Sequence, residues 1–113
     1  YAAAIALEHP ELSEQLCTVF AGRRKLLLAG LAGIDGIVCS QPEGAFYAFP
    51  DISAFGLTSQ EFCEQLLGRQ KVVCIPGSAF GECGEGFIRI AYTCSDENLH
   101  EALRRIDAFC KSL

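Results

Sequence analysis

The feature that most constrains this chain is an apolar, β-branched run at residues 86–93 with one arginine, Arg89, at its centre. Runs of this composition are typical of a strand in a half-buried sheet. Side chains alternate between the two faces of a strand, so Ile88, Ile90 and Tyr92 share one face and Arg89 lies on the other. The guanidinium stays charged at physiological pH and needs a partner or water. From the residues alone, a structural ion pair and a bound ligand remain equally open for Arg89.

Length, charge and cysteine content exclude several classes of protein. A chain of 113 residues is typical of one domain, and with half of its residues hydrophobic it can bury a core. The net charge of -5 argues against a nucleic-acid or anionic-membrane partner. No apolar run approaches the roughly 20 residues of a membrane span. The 7 cysteines include no C-x-x-C pair, which indicates small buried thiols in a reducing compartment rather than a zinc site.

The first third of the chain is predicted to be helical. Residues 1–8 are the end of one helix, and His9-Pro10 separates it from the next. The second helix ends in the glycine-rich stretch 30–36 and carries an apolar stripe formed by Leu12, Leu16, Phe20, Leu27 and Leu31. The basic triplet at 23–25 is interpreted as a solvated face of this helix.

The remaining segments alternate paired strands with helices. Residues 37–39 and 45–49 are predicted to form a hairpin around a turn at 41–44. Thr58 and Glu61 have the spacing of a capping box, and the helix that follows is expected to turn Phe62, Leu66 and Leu67 inward. A short strand at 72–75, a glycine-rich loop at 77–86, the Arg89 strand and a helix capped by Ser95 complete the chain.

This order of elements predicts an α+β fold. We expect a two-layer domain with a small antiparallel or mixed sheet of about three to four strands and helices on one face. If the helices pack on Ile88, Ile90 and Tyr92, Arg89 lies on the open face of the sheet. The loop at 77–86 lacks the Lys-Ser/Thr ending of a phosphate loop and is predicted to be a turn. Neither His9 nor His100 has a catalytic partner that the spacing identifies.

Four motifs occur in one order: Pro-Glu-Gly-Ala-Phe-Tyr at 42–47, Pro-Gly-Ser-Ala-Phe-Gly at 76–81, Ile-Arg-Ile-Ala-Tyr at 88–92 and Ala-Leu-Arg-Arg-Ile at 102–106. In this order and at this spacing they resemble the C-terminal small domain of the class I/II (fold type I) pyridoxal-phosphate aminotransferases, in the aspartate-aminotransferase-like group. The resemblance covers essentially the whole chain. It implies that residues 1–113 are that domain, with 1–33 as the helical connection from a large domain that this sequence does not contain.

The resemblance also implies site residues and partners. Arg89 matches the arginine that binds the substrate α-carboxylate, and Gly44, Phe46 and Tyr47 are weaker candidates for the substrate cleft. The lysine, the aspartate and the phosphate-binding residues that hold pyridoxal 5'-phosphate belong to the large domain, so no catalytic, cofactor-binding or metal residue is expected here. The full enzyme would be a cytoplasmic homodimer that acts on amino acids and 2-oxo acids, and this chain alone would be inactive. The alternative is a free-standing carboxylate-binding or dimerisation module of the same fold.

Overall fold

A computed structural model of the chain describes residues 2–113, so Tyr1, also predicted to be helical, lies outside it. Its α-helices and strands follow in the order α1 (Ala2–Leu7), α2 (Pro10–Ala32), β1 (Tyr47–Ala48), α3 (Ser59–Gln70), β2 (Ile75–Pro76), β3 (Ile88–Ala91) and α4 (Asp96–Cys110). Short 3-10 turns occupy Ser53–Phe55, Gly77–Phe80 and Glu82–Gly84. The predicted α+β class is confirmed.

The three strands form an antiparallel sheet in the order β1-β3-β2, so the Arg89 strand is its centre. Tyr47 lies opposite Ala91 on one side of β3, and Ile75 lies opposite Arg89 on the other. The predicted hairpin of 37–39 with 45–49 is wrong. Val38 makes only one bridge, to Asp51, and is 71% exposed. Segment 37–39 buries Ile37 in the core, but its one bridge is to Asp51, beyond β1, and β1 pairs with the distant β3 instead.

The core lies between the sheet and the helices, which cover one face of the sheet. On β3, Ile88, Ile90 and Tyr92 are buried, as the alternation predicts. Leu99, Leu103, Ile106 and Phe109 of α4 are buried as well. Leu67 is 46% exposed, so its predicted inward direction is wrong. Successive helical residues point about 100° apart, and only its neighbour Leu66 faces the core.

Helix α2 is buried only in its second half. Leu27 and Leu31 are in the core, and the helix ends at Ala32 with Gly33 as its C-cap, so Gly30 lies inside the helix. The other predicted stripe residues near its start, Leu12 and Leu16, are exposed. This exposed apolar surface does not make the helix a membrane span: within residues 2–113, no helix combines the length and the apolarity that crossing a bilayer requires.

The basic triplet of α2 is only partly solvated, which corrects the sequence interpretation. Arg24 donates from Nη1 to the carbonyl oxygen of Pro42 at 3.0 Å. Arg23 Nε lies 3.5 Å from the Asp96 carboxylate at the start of α4. Only Lys25 is exposed. The arginines therefore tie α2 to the 41–46 segment and to α4.

The capping box of α3 gives a direct test of local stability. Thr58 Oγ1 accepts from the Glu61 backbone N–H at 3.2 Å, and the Glu61 carboxylate accepts from the Thr58 N–H at 2.9 Å. Replacing Thr58 by alanine removes the side-chain acceptor and should lower the free energy of unfolding by about 1 kcal/mol. Thr58→Ser keeps the hydroxyl and serves as the control in urea unfolding. Equal losses in the two variants would contradict the capping role.

Candidate functional site

Arg89 lies on the open face of the sheet, between two aromatic rings. Its guanidinium carbon is 4.4 Å from the ring centroid of Tyr47 and 4.8 Å from that of Phe80. Tyr47 comes from β1, and Phe80 comes from the 3-10 turn that follows β2. A cation placed on aromatic faces at these distances is attracted by the ring electrons, and the two rings limit the rotation of the guanidinium.

The guanidinium of Arg89 lacks a partner in the part of the chain that the structure describes. Its Nε atom is buried and makes no hydrogen bond there, and no carboxylate of residues 2–113 pairs with it. Arg23 has a similar buried Nε, but a carboxylate of Asp96 lies nearby. A buried donor without a partner needs an explanation, since such groups are normally satisfied. The geometry therefore gives no support to a structural ion pair for Arg89 within this chain.

The rings around Arg89 belong to an aromatic surface formed by Tyr47, Phe49, Phe80 and Phe87. Phe49 stacks on Phe87 with ring centroids 5.4 Å apart and an interplanar angle of 7°. Phe80 meets Phe49 edge-on at 6.1 Å. Strand alternation places Phe49 and Tyr47 on one face and could have identified Phe49. No sequence signal identifies Phe80, because the path of its loop depends on tertiary contacts.

The weaker candidates from the sequence do not all lie at Arg89. Tyr47 contacts it directly, whereas the Phe46 ring meets the Tyr47 ring at 4.5 Å and the Phe20 ring of α2 at 5.8 Å. Gly44 lies in the exposed bend before β1, beside a crevice that α2 also lines. The Tyr92 hydroxyl donates to the carbonyl oxygen of Ala45 at 3.0 Å and holds this bend against β3. The structure thus brings together Arg89 and Tyr47 and leaves Gly44 to one side.

The segment that carries Phe80 is fastened to α3 by polar contacts. The backbone N–H of Ser59, a fully buried residue, donates to Glu85 Oε1 at 2.7 Å. The Ser59 hydroxyl lies 3.0 Å from Glu85 Oε2 and 3.0 Å from Ser78 Oγ. Hydrogen bonding from the Ser59 backbone, with a smaller contribution from its hydroxyl, lowers the pKa of Glu85 below its usual value. The carboxylate is therefore charged at neutral pH, beside the positive end of the α3 dipole.

Two glycines of the same segment make a close backbone crossing. Gly77 and Gly84 are buried against each other, and the Gly77 N–H donates to the carbonyl oxygen of Phe87 at 2.8 Å. A Cβ atom on either glycine would overlap the carbonyl oxygen of the other. The two stretches of backbone could not approach this closely if either residue carried a side chain, so a tertiary contact fixes the predicted turn.

Three of the cysteines, Cys63, Cys74 and Cys110, are buried. Burial raises the pKa of Cys74 to about 12 and those of Cys63 and Cys110 to about 11, so these thiols stay protonated at neutral pH. Cys17 and Cys83 are exposed, so the predicted burial holds for only part of the set. In the range 2–113, no group of three or more His, Cys, Asp or Glu side chains is arranged to hold a metal ion.

The α+β fold agrees with the resemblance drawn from the four motifs. A family model described as "Aminotransferase class I and II" matches residues 1–106. This chain therefore belongs to the class I and II aminotransferase family.

Its similar proteins include aminotransferases named for different amino acids. The chain is 46% identical over 94 residues to the aspartate aminotransferase of Pyrococcus horikoshii, covering 83% of this chain and 24% of the relative. It is 41% identical over 114 residues to aromatic-amino-acid aminotransferase 2 of Thermococcus litoralis, covering 98% of this chain and 29% of the relative. The crystal structure of the aromatic aminotransferase from Pyrococcus horikoshii OT3 superposes with a TM-score of 0.92 at 41% identity, over 99% of this chain and 30% of that one. The chain thus spans about a quarter to 30% of the length of these relatives.

Proposed function

We propose that this chain is the small domain of a pyridoxal-phosphate-dependent aminotransferase and that Arg89 binds the α-carboxylate of the substrate. The enzyme would move an amino group between an amino acid and a 2-oxo acid. One observation carries the proposal: the Arg89 guanidinium is held between Tyr47 and Phe80, yet has no carboxylate partner among residues 2–113. Substrates of both kinds supply that partner, because an α-carboxylate is common to amino acids and 2-oxo acids.

The domain boundaries are part of the proposal. Residues 1–113 would form the small domain, and residues 1–33 would connect it to a large domain, as in the resemblance. Support comes from the exposed apolar side chains Leu12 and Leu16 on α2, which suit contact with another part of a longer protein. The length of the relatives agrees with such an arrangement. A homodimeric, cytoplasmic enzyme is the corresponding proposal for the whole protein.

The described residues do not fit pyridoxal phosphate by themselves. The ammonium of Lys71 donates to the Gly68 carbonyl oxygen at 2.8 Å, and that of Lys111 pairs with Asp107. Lys25 is exposed on α2. The Lys71 and Lys111 ammonium groups are thus engaged by their own neighbours, and the Glu82 and Glu85 carboxylates on the glycine-rich segment would repel a phosphate. We infer that the cofactor is bound by a part of the enzyme outside this sequence.

The role of Arg89 follows from the shape of its side chain. A planar guanidinium presents two parallel N–H donors that match the two oxygens of a carboxylate. The rings of Tyr47 and Phe80 lie against the guanidinium and limit the access of water to it, which strengthens the pairing. A substrate bound in this way has its α-carbon fixed at a set distance and direction from β3. Orientation of this kind is the contribution that this chain makes to the reaction.

Amino-group transfer tests the proposal. We expect the protein encoded by the whole reading frame to move a ¹⁵N-labelled amino group from an amino acid to a 2-oxo acid when pyridoxal phosphate is supplied. The 113-residue chain alone should neither transfer the label nor retain pyridoxal phosphate after desalting and borohydride reduction, as followed by mass spectrometry. A complete reading frame that binds carboxylates without transferring the label would favour the free-standing binding module instead.

A further inference from the structure

The position of Phe80 is not set by the hydrophobic core. Phe80 is 54% exposed. Its ring contacts the ring of Phe49, on the same open face, and lies over the guanidinium of Arg89. The ring therefore stays on Arg89 only if the backbone of the 77–86 segment holds it there. That segment consists of two short 3-10 turns separated by Gly81, whose φ of 118° lies in a region that favours glycine.

Hydrogen bonds among Ser59, Ser78 and Glu85 fix the backbone of this segment. The Ser59 hydroxyl has one proton and two acceptors at 3.0 Å, Glu85 Oε2 and Ser78 Oγ. A charged carboxylate is the stronger acceptor, so the Ser59 proton goes to Glu85. The Ser78 hydroxyl then donates to Ser59 Oγ, and the Ser78 N–H lies 3.4 Å from the same atom. Glu85 thus orients the Ser59 hydroxyl so that its oxygen accepts hydrogen bonds from Ser78, in the turn that carries Phe80.

We propose that Glu85 is a positioning residue for Arg89: through Ser59 and Ser78 it keeps the Phe80 ring on the guanidinium. The value of this arrangement for substrate binding rests on the proposed function, whereas the arrangement itself does not. With the ring in place, one face of the guanidinium is closed and its plane is preset for a carboxylate. Without the ring, the side chain gains rotational freedom that must be lost again when an anion binds.

Glu82 provides a matched control within the same segment. It is also an exposed glutamate, at the start of the second 3-10 turn, but within residues 2–113 its side chain makes no hydrogen bond or ion pair. A variant at Glu82 changes the charge of the segment by the same amount as one at Glu85. It leaves the contacts with Ser59 and Ser78 unchanged, so any difference between the variants reports on those contacts.

The test measures the NMR signals of the Arg89 side chain in the 113-residue chain. The Arg89 guanidinium lies over two rings, so ring currents are expected to shift the resonances of its Nε and Nη protons upfield. Phe80→Ala sets the value expected when one ring is absent. We expect Glu85→Ala and Ser78→Ala to move the resonances most of the way to that value. Glu82→Ala should leave them at the wild-type position.

Each outcome decides for or against the proposal. Wild-type Arg89 resonances in a folded Glu85→Ala chain would overturn it. If that variant does not fold, Ser78→Ala decides, because it removes one exposed hydroxyl and leaves the Glu85–Ser59 pair intact. An equal shift in Glu82→Ala would also overturn it, by showing a general charge effect. Failure of amino-group transfer would refute the proposed function and leave these spectra unaffected, so the two failures are distinguishable.

Discussion

Replacing Arg89 by lysine in the complete enzyme is expected to lower kcat/KM for amino-acid and 2-oxo-acid substrates by about tenfold or more. Lysine keeps the positive charge, but it loses the planar pair of donors and the stacking between Tyr47 and Phe80. A charge-assisted, two-bonded contact contributes on the order of 1.5–3 kcal/mol, which corresponds to a loss of this size. Steady-state kinetics with an amino acid measure it.

An amine that lacks the α-carboxylate is the control substrate, because it has no group for Arg89 to bind. Its kcat/KM should fall much less in the same variant. Arg69→Lys is the matched protein control: Arg69 also lies over a ring, that of Phe109, but on α3 and outside the arginine site. Equal losses for the amine and the amino acid in Arg89→Lys would mean that Arg89 has a structural role and that the carboxylate assignment is wrong.

Gly77→Ala is expected to lower the free energy of unfolding by about 3 kcal/mol or more. The new Cβ would overlap the carbonyl oxygen of Gly84 and lie 2.6 Å from that of Phe87. Both obstacles are backbone atoms, which cannot rotate away as a side chain can. The crossing would have to open, and the segment carrying Phe80 would move with it. Thermal and urea unfolding of the two chains measure the loss.

Gly68→Ala controls for the general effect of replacing glycine by alanine. Apart from the adjoining residues and the helix's own backbone, no atom of residues 2–113 lies within 4 Å of the position that a Cβ would take there, and Gly68 is inside α3. Alanine favours the helix over glycine by about 0.5–1 kcal/mol, so this variant should be more stable than the wild type. The prediction thus has opposite signs at the two positions. A Gly77→Ala chain as stable as the wild type would show that the crossing can relax freely.

The predictions about local structure that the structure confirmed were based on patterns among residues close together in the sequence. The capping box at Thr58 involves residues three positions apart, and the alternation around Arg89 involves immediate neighbours on one strand. The sequence therefore predicted where α3 begins and which face of β3 holds the arginine. The aminotransferase family followed from four motifs along one chain, which comparison with known proteins confirmed.

Contacts between distant residues could not be predicted in this way. The pairing of β1 with β3 joins Tyr47 to Ala91, and it displaced the hairpin that two adjacent apolar segments suggested. Phe80 reaches Arg89 because a segment beyond it is fastened to Ser59, which lies 26 positions from Glu85. Neither arrangement leaves a periodic signal in the sequence. The half-exposed α2 was missed for a related reason, since an apolar stripe does not reveal what covers it.

The central place of β3 in the sheet has a consequence for synthesis on the ribosome. Both neighbours, β1 and β2, emerge before β3. They cannot pair with each other in the native arrangement, because β3 lies between them. The nascent chain therefore holds two unpaired strands and their aromatic side chains until residues 88–91 leave the exit tunnel. Helices α2 and α3 can form earlier, because their hydrogen bonds are local. Assembly of the sheet is thus a late event, and a ribosome that stalls after β2 displays a chain prone to aggregation.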